Sequence, residues 1–156
     1  MDTAMKIVIA EDDGILAEEI RQFLVKWGYQ AVVAVQFDDL AAACLSLQPH
    51  LILLDINLPF YDGFYWCSRI RERSQVPVIF ISSRGGDMDK IMAVAQGGDD
   101  YVEKPFRLEV LKAKIEAMLR RTYHYQMRVQ EYLKKDLYFD CGQSVLVCQN
   151  RTLELT

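Results

Sequence analysis

The chain has 156 residues, of which 51% are hydrophobic and 26% charged. This balance is typical of one globular domain with room for a short additional segment, and it argues against disorder. The net charge of −4 excludes an overall basic field that would draw the protein to nucleic acid. No apolar stretch approaches the ~20 residues of a membrane span, and the short, polar N-terminus does not resemble a signal peptide. We therefore expect a cytoplasmic protein without membrane contact.

The first 121 residues alternate between short apolar runs and helical patterns. In chain order, the runs predict strands at 6–10, 31–35, 51–54, 76–81 and 101–102, and the intervening patterns predict helices at 16–27, 38–47, 64–73, 87–95 and 108–121. Such alternation predicts an α/β fold with a five-stranded, doubly wound parallel sheet covered by helices on both faces.

The pattern changes after residue 121. Residues 122–136 are polar and aromatic without a clear apolar face, which favours a linker or a loose helix extension. Three short β-like runs follow at 137–140, 145–147 and 153–155. The sequence therefore predicts a domain at 5–121, a linker at 122–136 and a short antiparallel β segment at 137–156.

Polar side chains stand at the predicted carboxyl ends of the strands, where ligands bind in a doubly wound sheet. These residues are Glu11, Asp12 and Asp13 after strand 1, Asp55 after strand 3, Ser82, Ser83 and Arg84 after strand 4, and Glu103 and Lys104 after strand 5. Taken alone, Asp55 could simply cap a turn before Asn57 and Gly63. Acids on adjacent central strands, a hydroxyl on the next and an ammonium on the last instead favour a connected site.

Carboxylates placed together raise one another's pKa unless a cation compensates them. Hard oxygen ligands with room for water suit Mg²⁺. A metal, a hydroxyl and a lysine together are what a transferring phosphoryl group requires, because they interact with its negatively charged oxygens. The residues therefore indicate a Mg²⁺ site in which Asp55 is a nucleophile that accepts phosphate as an acyl phosphate.

Four segments, "IVIAEDD", "LILLDINLPFYDG", "VPVIFISSR" and "GGDDYVEKPF", follow one another within residues 5–121. In order and spacing they resemble the receiver domain of two-component response regulators. The resemblance implies a flavodoxin/CheY-like fold with strand order 2-1-3-4-5. It also implies a protein that takes a phosphoryl group from a sensor histidine kinase, and that is not an enzyme beyond self-phosphorylation and slow autodephosphorylation.

The same resemblance implies the phosphoacceptor and the metal ligands. Asp55 is the expected phosphoacceptor and also a ligand. Asp12 is the expected direct carboxylate ligand of Mg²⁺, Glu11 acts through water, and Asn57 offers its backbone carbonyl.

The resemblance also implies the groups that respond to the phosphoryl group. Lys104 is expected to pair with it, and the peptide bond before Pro105 is expected to be cis. Ser82 matches the switch hydroxyl, with Ser83 as its nearest competitor, and Tyr101 matches the aromatic switch residue.

Two stretches, "DINLPFYDGFYWCSRIRE" and "FISSRGGDMDKIMAV", resemble OmpR/PhoB-type regulators that work with cell-envelope sensor kinases, often beside a peptide-antibiotic transporter. Residues 137–156 resemble the opening strands of a winged-helix DNA-binding domain, truncated at Thr156. The recognition helix and the wing that read DNA would follow. We therefore expect promoter DNA to be a partner only of a full-length form.

The OmpR/PhoB resemblance implies a homodimer through helix 4, strand 5 and helix 5 on phosphorylation. Charged candidates for that interface are Lys90, Asp99, Asp100, Lys114 and Arg121. The chain departs from the family pattern at Ala95 and Val110, where acids are usual. Two customary ion pairs therefore cannot form as usual, and the geometry of the dimer stays open.

Two other classes of protein share some of these features. A haloacid-dehalogenase-type phosphatase also has an aspartate nucleophile after an apolar strand, but it needs a second acid two residues later, where this chain has Asn57. A receiver-like binding module that never takes phosphate would lack Asp12, Asp55 or Lys104, all of which are present. The phosphorylatable regulator is the preferred hypothesis.

The four cysteines are predicted to be structural. Cys44, Cys67, Cys141 and Cys148 form no Cys-x-x-Cys pair, and neither histidine completes a metal-ligand spacing. Cys44 and Cys67 fall in apolar helical patterns, where a thiol behaves as a small hydrophobic group.

Overall fold

The computed structural model describes residues 4–124. The strands are β1 (Lys6–Ala10), β2 (Gln30–Val33), β3 (Leu51–Asp55), β4 (Val78–Ser82) and β5 (Asp100–Glu103). The helices are α1 (Gly14–Lys26), α2 (Leu40–Ser46), α3 (Gly63–Arg71), α4 (Asp87–Ala95) and α5 (Leu108–Leu119). A 3₁₀ turn at Phe37–Asp39 precedes α2, and a π-helical segment at Arg120–His124 follows α5.

The five strands form one parallel sheet in the order β2-β1-β3-β4-β5. This confirms the predicted doubly wound fold and its strand order. Every residue of β3 and β4 is buried, as expected for central strands of a sheet covered on both faces. Val8, Ile52 and Phe80 lie in the hydrophobic core with residues of α2 and α3, while the alternate side chains point to the opposite face.

Aspartates in the connecting loops start three of the helices. Asp13 Oδ1 accepts hydrogen bonds from the backbone N–H groups of Ile15 and Leu16, at 3.1 and 3.3 Å. Asp39 and Asp62 cap α2 and α3 in the same way. Such capping satisfies N–H groups that have no partner within the helix. Part of the acidity near the carboxyl edge therefore serves helix capping.

Several predicted boundaries were wrong in ways that matter for the site. Strand 3 was predicted to stop at 54 and strand 4 to occupy 76–81, but Asp55 and Ser82 are the last residues of β3 and β4. Both belong to the sheet because Asp55 pairs with Ile81, and Ser82 pairs with Glu103. β4 begins at Val78, because Pro77 has no N–H and the N–H and carbonyl of Val76 bond to the Ser74 hydroxyl and the Arg71 guanidinium.

The donor to Val76 is Arg71, which joins the end of α3 to the start of β4 and the loop before β5. Its guanidinium donates to the carbonyls of Val76 (2.6 Å) and Gly97 (3.0 Å) and to Asp99 Oδ2 (2.8 Å). Asp99 Oδ2 also accepts from the backbone N–H of Val78, at 2.9 Å. This network fixes the end of the sheet opposite the polar strand ends.

Cys44 and Cys67 are buried free thiols, as predicted. Burial raises the pKa of Cys44 to about 12 and that of Cys67 to about 11. Both are therefore neutral near pH 7 and act as small hydrophobic groups.

The compact unit that carries the sheet extends to Glu116, and a second unit begins at Ala117. Of the second unit, the structure describes residues 117–124. Most of the predicted linker and the whole predicted β segment at 137–156, with Cys141 and Cys148, lie outside the described residues. Within residues 4–124, no helix has the length and apolar character needed to cross a bilayer.

Candidate functional site

The carboxyl ends of four neighbouring parallel strands bring the predicted site residues to one edge of the sheet. Glu11 directly follows β1, Asp55 ends β3, Ser82 ends β4 and Lys104 directly follows β5. Because parallel strands end on the same side, residues far apart in sequence meet here. Asp12 extends the group from the loop after β1.

Glu11, Asp12 and Asp55 form a compact acidic cluster. An oxygen of each carboxylate lies within 4.8 Å of one from both others. Glu11 is 2% exposed and Asp55 is 3% exposed, whereas Asp12 is exposed to solvent. Two buried carboxylates at this separation are unfavourable unless a cation compensates their charge.

Lys104 supplies part of that compensation. Its Nζ donates to Glu11 Oε1 at 2.7 Å and to Asp55 Oδ2 at 3.1 Å. Burial alone would lower the pKa of Lys104, but its two carboxylate partners raise it overall, so the side chain is an ammonium. Burial raises the pKa of Glu11 although the hydrogen bond from Lys104 opposes this. The charge of the site is thus only partly neutralised by its own residues.

The main chain around Asp55 holds the carboxylate in place. Asp55 Oδ1 accepts from the backbone N–H of Asn57 at 3.3 Å. The N–H of Gly63 donates to the carbonyl of Ile56 at 2.8 Å. A Cβ at position 63 would collide with the Asp55 carbonyl and lie 2.8 Å from Ile56 Cα, so only glycine allows this approach. Sequence reasoning gave Gly63 no role beyond a turn.

The two predicted switch residues meet at the loop that follows β4. The Ser82 hydroxyl is buried and accepts from the backbone N–H of Arg84 at 3.1 Å. The Tyr101 hydroxyl donates to the carbonyl of Arg84. Burial raises the pKa of Tyr101, while the neighbouring Ser82 hydroxyl acts in the opposite direction. Ser83, the competing candidate, is exposed, which favours Ser82 as the inward-facing hydroxyl.

Arg84 also reaches the site through its side chain, a contact that its strand-end position did not predict. Its Nη1 lies 3.5 Å from Asn57 Oδ1, and its Nη2 lies 2.9 Å from Asp89 Oδ1 on α4. The guanidinium carbon stands 5.6 Å from the centre of the Phe64 ring. One basic side chain therefore connects the loop after Asp55 with the first turn of α4.

The donor set fits a hard divalent cation. Three carboxylates converge within 4.8 Å, and the exposed position of Asp12 leaves room for the water ligands that Mg²⁺ retains. Lys104 bonds one oxygen of Glu11 and one of Asp55, and the second oxygens of these carboxylates accept hydrogen bonds from the backbone N–H groups of Asp13 and Asn57. The peptide bond between Lys104 and Pro105 is cis, as the resemblance predicted.

Comparison with known proteins places the chain in a family. A family model described as the response regulator receiver domain matches residues 7–116. The transcriptional regulatory protein YvcP of Bacillus subtilis is 49% identical over 118 residues, which cover 76% of this chain and 50% of that protein. The response regulator protein GraR of Staphylococcus aureus strain Newman is 41% identical over 153 residues, which cover 97% of this chain and 68% of that protein. The chain thus spans about half the length of the Bacillus subtilis regulator.

A solved structure shares the architecture. The N-terminal domain of the nisin resistance regulator NsrR, a lantibiotic response regulator, superposes with a TM-score of 0.69 at 42% identity, covering 76% of this chain and all of that domain. The phosphatase alternative finds no support, because the matching family is a receiver and the residue two positions after Asp55 is an amide. The chain belongs to the response regulator receiver domain family.

Proposed function

We propose that Asp55 accepts a phosphoryl group from the phosphohistidine of a sensor kinase. The observation that carries this proposal is the buried Asp55 carboxylate at the end of β3, 3.1 Å from the Lys104 ammonium and clustered with Glu11 and Asp12. Asp55 Oδ attacks phosphorus, the bond from phosphorus to the donor breaks, and the donor imidazole leaves. We expect the Lys104 ammonium to pair with one phosphoryl oxygen and the Ser82 hydroxyl to donate a hydrogen bond to another.

Glu11, Asp12 and Asp55, with the backbone carbonyl of Asn57, would hold Mg²⁺. When bound, the metal supplies positive charge against the phosphoryl oxygens. Position 57 carries no acid to activate a water, so we expect slow autodephosphorylation and no multiple-turnover hydrolysis of phosphate esters.

The most direct experiment is intact-mass spectrometry after treatment with acetyl phosphate and Mg²⁺. One phosphoryl group should add ~80 Da, the mass of the group transferred to a nucleophile. Asp55→Ala should gain none, whereas Asp62→Ala should be modified normally, because Asp62 caps α3 and lies outside the acidic cluster. A stoichiometric adduct on Asp55→Ala would contradict the assignment.

We also propose an assignment for residues 122–156 and a class for the full-length regulator. YvcP and GraR are named as regulators, and the alignment with GraR extends over 153 residues. This supports a linker at 122–136 and the opening strands of a winged-helix DNA-binding domain at 137–156. It also supports an OmpR/PhoB-type regulator whose full-length form binds promoter DNA.

Dimerisation through the face formed by α4, β5 and α5 is the proposed response to phosphorylation. On this face Met88, Ile91, Val94 and Val110 are exposed, and apolar side chains clustered at a surface are typical of interaction sites. Of the charged candidates, Asp99 is already bound to Arg71 and Lys114 to Asp100. We therefore expect apolar contact to contribute more to this interface than the ion pairs suggested by the family pattern.

A further inference from the structure

Arg84 is the residue at which the contacts of the switch converge. Its backbone N–H donates to the Ser82 hydroxyl and its carbonyl accepts from the Tyr101 hydroxyl. Its side chain reaches Asn57 at 3.5 Å and Asp89 at 2.9 Å. The same residue thus contacts both switch hydroxyls, the loop after the phosphoacceptor, and α4.

The guanidinium stands at the rim of the phosphoacceptor site. Asn57, which Arg84 approaches through one nitrogen, donates its own backbone N–H to the Asp55 carboxylate at 3.3 Å. The Arg84 side chain is 40% exposed and that of Asp89 is 25% exposed. An ion pair open to water to this degree is weak, so its partners can exchange at small cost.

A phosphoryl group on Asp55 offers this guanidinium a stronger partner. It places about −2 of charge on three acceptor oxygens, about one negative charge more than the ionised carboxylate it replaces, and the planar guanidinium binds such groups through paired hydrogen bonds. Asp89 offers a single carboxylate that remains in contact with water. Competition between the two anions should therefore favour the phosphoryl group.

We infer that Arg84 is a positioning residue that changes partners, leaving Asp89 for the phosphoryl oxygens when Asp55 is modified. This inference rests on the proposed function. The exchange does two things at once: it adds a cation to the modified site, and it releases the first turn of α4, where Asp89 lies. The Arg84 side chain thereby couples phosphorylation of Asp55 to the first turn of α4, which begins the proposed dimer face. This coupling adds to that of the Ser82 and Tyr101 hydroxyls.

The test uses beryllofluoride with Mg²⁺, a non-covalent mimic of the phosphoryl group on Asp55, with affinity measured by ¹⁹F NMR titration. Asp89→Asn frees Arg84 and should raise the affinity about two- to fivefold, the range that a half-exposed ion pair supports. Arg84→Gln removes the incoming cation and should lower the affinity about tenfold or more, as expected for a hydrogen bond to a charged group. Arg84→Lys keeps the charge without the paired geometry and should fall between Arg84→Gln and the wild type.

The double variant Arg84→Gln/Asp89→Asn separates partner exchange from simple repulsion between Asp89 and the ligand. Partner exchange predicts that Asp89→Asn brings no gain once Arg84 is gone. An equal gain in both backgrounds would overturn the inference. Glu18→Gln removes another surface ion pair, with Arg21 on α1, and should leave the affinity unchanged.

Hydrogen exchange at residues 87–90 supplies a structural readout. Asp89→Asn without ligand should increase exchange there toward the level of the wild type with beryllofluoride, whereas Glu18→Gln should not. One outcome is a wild type that binds the mimic and gains a phosphoryl group from acetyl phosphate, while Asp89→Asn and Arg84→Gln bind the mimic with unchanged affinity. That result would overturn the partner exchange but leave the proposed function intact. A wild type that does neither would overturn the proposed function itself.

Discussion

At the scale of single residues, the charge of the site depends on one lysine placed between two buried acids. Lys104 bonds both Glu11 and Asp55, yet burial still raises the pKa of Glu11. The folded protein therefore holds the charged form of Glu11 at a cost in stability. A bound cation would lower this cost, so the site favours further positive charge.

Replacing Glu11 should reveal that cost and its pH dependence. The pKa of Glu11 is higher in the folded than in the unfolded chain, so the folded state binds more protons as pH falls, and stability rises. Glu11→Gln should therefore be more stable than the wild type at pH 7. The advantage should shrink as the pH approaches the ordinary pKa of a glutamate. Urea denaturation without Mg²⁺ at several pH values measures this, and a pH-independent difference would contradict it.

A second residue-scale effect concerns backbone conformation. Gln48, just after α2, has a φ of 55°, in the left-handed region that favours glycine. Gln48→Gly should therefore stabilise the protein by about 1 kcal/mol in urea denaturation. Gln96, which ends α4 with a φ of −89°, provides the matched control. Gln96→Gly should give no gain, and equal gains at both positions would refute the conformational explanation.

At the scale of elements, the connections between helices and strands are fixed by a few long-range contacts. Arg71 joins the end of α3 to Val76, Gly97 and Asp99. Gly63 brings the start of α3 against the main chain of Asp55. α3 is thus held at one end by close backbone packing and at the other by a partly buried guanidinium.

Removing the Arg71 guanidinium should destabilise the fold. Arg71→Met leaves the carbonyls of Ser74, Val76 and Gly97 and the Asp99 carboxylate without this donor, which should cost about 1.5–3 kcal/mol of unfolding free energy. Arg69 is the matched control, because it lies on the same helix but is exposed and only 3.8 Å from Glu72. Arg69→Met should cost less than about 0.5 kcal/mol. Similar losses in the two variants, measured by urea denaturation, would contradict the role given to Arg71.

At the scale of the whole molecule, the expected response to phosphorylation is self-association. Ile91 lies on α4 with 60% of its surface exposed, and burying such a side chain favours association. Ile91→Lys should keep phosphorylation by acetyl phosphate but weaken dimerisation at least tenfold, because it places a charge in an apolar contact. Val35→Lys, at an apolar position that is 72% exposed and lies outside that face, should dimerise normally. Sedimentation of the phosphorylated variants checks this, and a phosphorylated wild type that stays monomeric would oppose the proposal.

The sequence by itself determined the alternation of strands and helices, the parallel sheet and the residues at its carboxyl edge. Those features follow from local patterns: apolar runs of strand length, helical periodicity, and polar residues where a run stops. The role of Lys104, two residues after the predicted run at 101–102, came from the resemblance to receiver domains, whereas Asp55 could be named in advance because it stands directly at the end of such a run. The ends of β3 and β4 could not, because strand bounds depend on pairing with neighbours.

Only the tertiary structure decided which side chains meet. Lys104 contacts Glu11, 93 positions earlier, and Arg84 contacts Asn57 and Asp89. At the opposite end of the sheet, Arg71 donates hydrogen bonds to Val76 in the loop before β4 and to Gly97 in the loop before β5. No periodic pattern in the sequence predicts such contacts, because they depend on how separate loops pack and on which charge is nearest once the strands are aligned.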